Sequence, residues 1–233
     1  LVVCSIFVNP LQFNDPLDLE RYPRRLDDDR KMLEEAGCDL LFAPEKEELF
    51  ADLKEKEYDL GGLADHWEGP LRPGHFQGVM NVVERLFFYV RPDQAYFGEK
   101  DRQQLMILQH VARQELWPEK IVGCPTLREM DGAALSSRNL RLDPSDRKKL
   151  PVLYQALRLV ERSAFERPLA ELDRAVTELI GNTDGVELDY FGIADPVTLA
   201  PINDQAVHDE AIALIAARIG PIRVIDNITL RRK

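Results

Sequence analysis

The sequence predicts an α/β fold, a doubly wound parallel sheet in its first part followed by a smaller α+β domain. Up to about residue 125, short apolar runs closed by proline or glycine alternate with helical patterns. That order calls for a parallel sheet with right-handed crossovers. From about Thr126 two helical patterns come first and three apolar strands follow, which is the order of an α+β unit. The predicted domains are therefore 1–125 and 126–233, and 233 residues suffice to bury a core in each.

The first run, Leu1 to Val8, is almost continuously apolar and reads as a strand covered on both faces. A chain seldom starts inside such a strand, so a preceding segment is expected to be missing from the sequence as given. Asn9 to Phe13 forms the loop at the strand's carboxyl end, because proline cannot extend a central strand and asparagine favours turns. A helix is predicted from Leu17 to Ala36, stopped by Gly37, with Pro23 delaying its start. Asp39 to Pro44 is a second strand. Glu45 to Glu57 reads as exposed helix and loop, and Leu60 to Pro73 as a long loop of a length often reserved for function.

Val79, Val82, Val83, Leu86, Phe87 and Val90 then make the inward stripe of a strong helix ended by Pro92. Ala95 to Phe97 is a strand, Asp101 to Leu116 a helix and Ile121 to Pro125 a strand. In the second part, helices are predicted from Pro144 to Ser163 and from Leu169 to Ile180. Strands follow at 186–193, 212–218 and 223–230.

Composition narrows the partners. A net charge of −11 argues against nucleic acid, whose phosphates are met by basic faces. No unbroken apolar run has membrane-spanning length and no signal peptide is visible, so a soluble cytoplasmic protein is expected. Cys4, Cys38 and Cys124 lack metal-type spacing and read as buried thiols in a reducing compartment.

An acidic chain must meet an anionic ligand locally, and two stretches are suited to do so. Phe97-Gly98-Glu99-Lys100-Asp101 reads as strand, tight turn and helix start. Glycine there permits close approach, free helical N–H groups favour anions, and Lys100 supplies charge. The same residues also suit an ordinary solvated turn. Asp131 to Asn139 adds Gly132, the adjacent hydroxyls of Ser136 and Ser137, and Arg138; two such loops point to a nucleotide. Gln12 offers a donor and an acceptor suited to a hydroxy acid, or equally to a loop hydrogen bond. His75, at a helix entrance, is read as structural in preference to ligand-binding. Asp27, Asp28 and Asp29 make a solvated face or hold a hydrated magnesium ion.

Five stretches in order resemble the pantothenate synthetase (pantoate–β-alanine ligase) family: Phe7 to Phe13, Glu68 to Gly78, Phe97 to Gln104, Arg128 to Asn139, and Arg218 to Asn227. The resemblance implies a Rossmann-like domain of nucleotidylyltransferase type and a C-terminal lid domain. It also implies ATP-dependent joining of pantoate and β-alanine through pantoyl adenylate, with Mg2+ on the phosphates, a homodimer, and no nucleic-acid or membrane partner.

Carried over by position, the resemblance puts Gly98, Glu99 and Asp101 at the nucleotide, Lys100 on the phosphates, and Leu127 and Leu135 along adenosine. Ser136, Ser137 and Arg138 become the loop that grips the phosphates. Asn9, Gln12 and Gln104 become the pantoate contacts, and Asp27 and Asp28 the metal-side carboxylates. The family's Gly-turn-His-x-Gly-His signature has no counterpart here, which implies a chain catalytically incomplete as given. Two other readings stay open. One is a nucleotidylyltransferase of the same fold, which would want more basic residues than the neutral Gln12 and Gln104 to hold a phosphorylated acceptor. The other is a truncated homologue that binds ligand without turnover.

Overall fold

A computed structural model describes residues 1–203 and 209–232 and separates into two compact units. The first comprises 1–64, 68–96 and 106–122; the second comprises 65–67, 97–105 and 123–233.

In the first unit, strand β1 (Val3–Ser5) pairs in parallel with β2 (Leu40–Phe42), Val3 opposite Leu40 and Ser5 opposite Phe42. The expectation of a strand covered on both faces is corrected here. Val3 and Ser5 are exposed, and β1 has one strand neighbour among the described residues. The predicted helix at 17–36 is two helices, α1 (Pro16–Glu20) and α2 (Leu26–Glu35). Pro23 separates them, since a proline disfavours helical backbone in the residue before it and removes its own N–H. Gly37 at φ +76° lets the chain leave α2 in a left-handed turn.

The acidic stretch after β2 holds α3 (Lys46–Leu49), and the long loop contains one short helical turn, α4 (Glu68–Leu71). Helix α5 (His75–Val90) buries Phe76, Val79, Met80, Val82, Val83 and Phe87. Two of its polar residues hold the loop before it. Gln77 pairs with the backbone N–H and C=O of Tyr58, and Asn81 does the same with Lys56, at 2.8–2.9 Å. These are the two hydrogen bonds a neighbouring strand would make, supplied by side chains one helical turn apart. The three cysteines are free and each is half-buried, which corrects the reading of buried thiols. Burial, then Cys38 and Asp29, push the Cys4 thiol up.

Strand β3 (Gln94–Gly98), a 3-10 turn at Glu99–Asp101, helix α6 (Arg102–Gln114) and β4 (Lys120–Cys124) follow, with β3 and β4 hydrogen-bonded in a two-stranded sheet.

In the second unit, α7 (Pro144–Arg147) begins under a cap from Asp143, which accepts from the amides of Ser145 and Asp146 at 2.8 Å. The helix predicted at 144–163 breaks before Pro151, so α8 (Pro151–Ser163) is separate. With α9 (Leu169–Gly181) it packs on an antiparallel sheet of β5 (Val186–Ala194), β6 (Glu210–Ile219) and β7 (Ile222–Arg231). Leu153, Leu157, Val160, Leu172, Val176 and Ile215 lie in its core. Strand β7 is the one that matters for the site.

Candidate functional site

Strand β7 carries a buried polar pair, Asp226 and Asn227, between Ile225 and Ile228. A polar pair in such a strand must be hydrogen-bonded or it costs stability. Asn227 Nδ2 donates to the backbone carbonyls of Glu99 at 2.9 Å and Lys100 at 2.8 Å, gripping the 3-10 turn by two of its carbonyls. Asp226 accepts both terminal nitrogens of Arg128, at 2.6 and 2.9 Å, and the guanidinium lies 3.9 Å over the Tyr154 ring. Arg128 also donates to the carbonyl of Gly132 at 3.1 Å.

Through Arg128 the same strand fixes the second loop. Residues 127–135 form a narrow hairpin. Leu135 N–H donates to the Leu127 carbonyl and Glu129 N–H to the Ala133 carbonyl, both at 2.9 Å. Gly132 turns its tip at φ +94°, where a Cβ would meet the Tyr154 ring at 2.5 Å. Arg147 bonds both Glu129 and Asp131. That hydrogen bond, then the Ala133 amide, holds the Asp131 carboxyl below its usual range. Whatever stability it lends is full at neutral pH and fades as pH falls below 3.8 through the lowered value.

After the hairpin, Ser136 caps the 3-10 turn Ser137–Arg141 by accepting from the Arg138 amide at 3.3 Å. Asn139 Nδ2 ties that turn to the Ala134 carbonyl at 2.9 Å. Both 3-10 turns pack on β7, so the two loops read as phosphate-suited share one scaffold. Ser137 is exposed, while Lys100 and Arg138 are half-buried; the Lys100 ammonium stands 3.5 Å from the Asp101 carboxylate. Leu127 and Leu135, paired through their backbones, are 73% and 49% exposed.

Gly98 has φ −69° and ψ 132°, values any residue adopts, and a Cβ there would meet nothing within 4 Å. Neither turn geometry nor packing demands glycine at this position. Gly98→Ala is accordingly expected to keep its melting temperature, or raise it slightly, while weakening ATP binding at least about tenfold, roughly 1.4 kcal/mol. Calorimetric titration beside a melting curve checks this; unchanged affinity would remove Gly98 from the nucleotide site.

A groove of about 730 Å³ opens beside Asn227 and Arg128, lined also by Glu99, Arg158, Arg162 and Arg231. Lys100, Ser136 and Arg138 do not line it, while Glu99, from the same turn as Lys100, does.

The remaining predicted residues stand elsewhere. Gln104 is half-buried in the first turn of α6, within the second unit. Asn9 caps and Gln12 ends a short 3-10 turn, Pro10–Gln12, in the first unit. Asn9 is buried and its amide is committed, Oδ1 accepting from Leu11 N–H at 3.1 Å and Nδ2 donating to the Gly78 carbonyl at 3.0 Å and to Gln12 Oε1 at 3.3 Å. Asp27 and Asp28 are exposed on the first turn of α2, and Asp28 is paired with Arg25 at 2.6 Å. Among the described residues no cluster of three or more His, Cys, Asp or Glu side chains could hold a metal ion.

A model of the family described as pantoate-beta-alanine ligase matches residues 1–229. The chain belongs to this family. Pantothenate synthetase from Thermus thermophilus is 47% identical over 229 residues, 97% of this chain and 82% of that protein. The one from Rubrobacter xylanophilus is 45% identical over 238 residues, 98% and 81% of the two chains. A crystal structure of the Thermus enzyme superposes with a TM-score of 0.91 over 97% of this chain and 82% of that one. A pantoate-beta-alanine ligase from Francisella tularensis, crystallised with beta-gamma ATP and beta-alanine, superposes at 0.77 with 34% identity, covering 98% and 78%. Membership in the pantoate-beta-alanine ligase family makes the chain a ligase, and the likeness bears out a Rossmann-like domain followed by a smaller sheet domain.

Family membership also places value on residues that sequence reasoning quoted without giving them a role. Arg128, Asp226 and Asn227 fall inside the matched stretches, and the signal that could have singled them out is the polar pair in the middle of an apolar strand.

Proposed function

We propose that this chain condenses pantoate with β-alanine at the expense of ATP, through pantoyl adenylate. The observation that carries the reading is the grip of Asn227 on the Glu99 and Lys100 carbonyls. It presents Lys100 from a rigid turn on the same strand that supports Ser136, Ser137 and Arg138. The Thermus and Francisella relatives, one named for pantothenate synthesis and the other solved with an ATP compound and β-alanine, support the choice of substrates.

In the first step a pantoate carboxylate oxygen attacks the α-phosphorus of ATP, forming the acyl phosphate anhydride as the bond to pyrophosphate breaks. Lys100, Arg138 and the two serine hydroxyls stabilise charge accumulating on the departing phosphates. Gly98 and Asp101 hold the ribose side, Glu99 supports the turn, and Leu127 and Leu135 cover the adenine. Gln12 and Gln104 hold pantoate, with Asn9 in the loop of Gln12. In the second step the free amine of β-alanine attacks the acyl carbon, the bond to the adenylate oxygen breaks, the amine proton is lost, and AMP departs. Positioning does most of this work, because the activated acyl group is already electrophilic.

A magnesium ion would lower the repulsion within the triphosphate. Asp27 and Asp28 would be the carboxylates on its side, with Asp28 in an exposed pair with Arg25. The same proposal includes a homodimer, a cytoplasmic setting and the division into domains at 125/126. No helix among the described residues is long and apolar enough to cross a membrane.

Pantoate labelled with oxygen-18 in its carboxylate tests the chemistry. Mass spectrometry is expected to find one labelled oxygen in AMP alongside pantothenate. Pantothenate formed with unlabelled AMP would contradict the adenylate.

A further inference from the structure

Two side chains from outside the loop that carries Gln12 converge on one of its carbonyls. The Gln12 backbone oxygen, at the end of the 3-10 turn, lies 2.7 Å from His75 Nδ1 and 3.4 Å from an Arg72 terminal nitrogen. A carbonyl only accepts, so the proton of this contact sits on His75 Nδ1, which fixes the ring's tautomer at that nitrogen. His75 is 4% exposed at the first position of α5, with its ring 5.0 Å from that of Phe76.

Three further contacts tie the same two segments together. Asn9 donates to the Gly78 carbonyl, Asn14 donates to the Pro73 carbonyl at 2.6 Å, and Leu11 lies so close to α5 that a Cβ on Gly78 would stand 2.2 Å from its oxygen. The Gln12 side chain is held as well, its Oε1 accepting from Asn9, which leaves Nε2 with two hydrogens to offer. An amide donor suits a carboxylate or a hydroxyl.

We infer that His75, with Arg72 beside it, is a positioning residue that sets the orientation of the Gln12 amide toward pantoate, acting through the Gln12 carbonyl without touching substrate. This rests on the proposed role of Gln12 as a pantoate contact. It explains why a buried histidine opens α5 although it supplies no charge to the nucleotide loops, and why glycine stands at position 78. Specificity for the hydroxy acid then depends on a helix start remote in sequence from the residue it serves.

Two variants separate orientation from folding. His75→Phe keeps a ring against Phe76 and removes the donor, and His75→Asn restores a donor near the place of Nδ1. Steady-state kinetics with each substrate varied, beside melting curves, should show the pantoate KM raised about tenfold or more in His75→Phe with the ATP KM unchanged. His75→Asn should recover most of the loss. Gln12→Ala should raise the pantoate KM at least as much, and adding His75→Phe to it should cost little further.

If Gln12→Ala leaves the pantoate KM unchanged, the underlying assignment of Gln12 fails. If Gln12→Ala raises it but a folded His75→Phe does not, or raises the KM of both substrates equally, the assignment stands and the positioning role of His75 is overturned. A His75→Phe protein that does not fold leaves His75→Asn to decide, since wild-type stability with a raised pantoate KM would overturn rescue by the donor.

Discussion

Replacing Lys100 with alanine is expected to lower the rate of adenylate formation by about 100- to 1,000-fold, roughly 3–4 kcal/mol of transition-state stabilisation, the range found when one preorganised group is removed from developing charge. Stability should hardly change. The ion pair of Lys100 with Asp101 spans 3.5 Å, and the aspartate side chain is 50% exposed, so solvent screens most of its worth. The turn itself is held by Asn227 through backbone carbonyls and does not need the lysine. Rapid-quench measurement of adenylate beside a melting curve distinguishes the outcomes. Near-normal rates in a folded Lys100→Ala protein would remove the lysine from the phosphate contacts.

Asp226→Ala is expected to produce the largest loss of stability. Its carboxylate is 4% exposed and takes both terminal nitrogens of Arg128, whose side chain is 17% exposed. Truncating one partner of such a pair strands the other, at a cost of about 3 kcal/mol, the lower part of the usual range because Arg128 retains some water. For a chain of this length that corresponds to a fall in melting temperature on the order of 10 °C. Asp226→Asn keeps an acceptor and should lose less. Because Arg128 also anchors the hairpin tip at Gly132, ATP affinity should fall with stability in Asp226→Ala. A melting temperature within about 2 °C of the parent would contradict the role given to this pair.

Much of this organisation was legible in the residues. Strands at 186–193, 212–218 and 223–230 match β5, β6 and β7 closely, because apolar runs with Gly220 and Pro221 between two of them leave little choice. Both phosphate-suited loops were visible from their glycines, hydroxyls and cations. What the sequence could not show is pairing at long range. Asn227 lies 128 residues from Glu99, and nothing local in either stretch announces that one clamps the other.

The split of the helix at 17–36 turned on how strongly Pro23 acts, which the pattern of apolar residues leaves open. The exposure of β1 is a property of what packs on it, which the strand's own apolar pattern does not show. Asn9 is carried over by position as a pantoate contact, and its three hydrogen bonds within the loop and to Gly78 emerge only from the fold.

The most direct test of the account is exchange of labelled pyrophosphate into ATP, with magnesium present and β-alanine omitted, in the presence and absence of pantoate. Exchange that requires pantoate is the predicted result, since only a reversible adenylation of its carboxylate returns pyrophosphate to ATP. Absence of exchange from protein that binds both ATP and pantoate would contradict the proposal that this chain forms pantoyl adenylate.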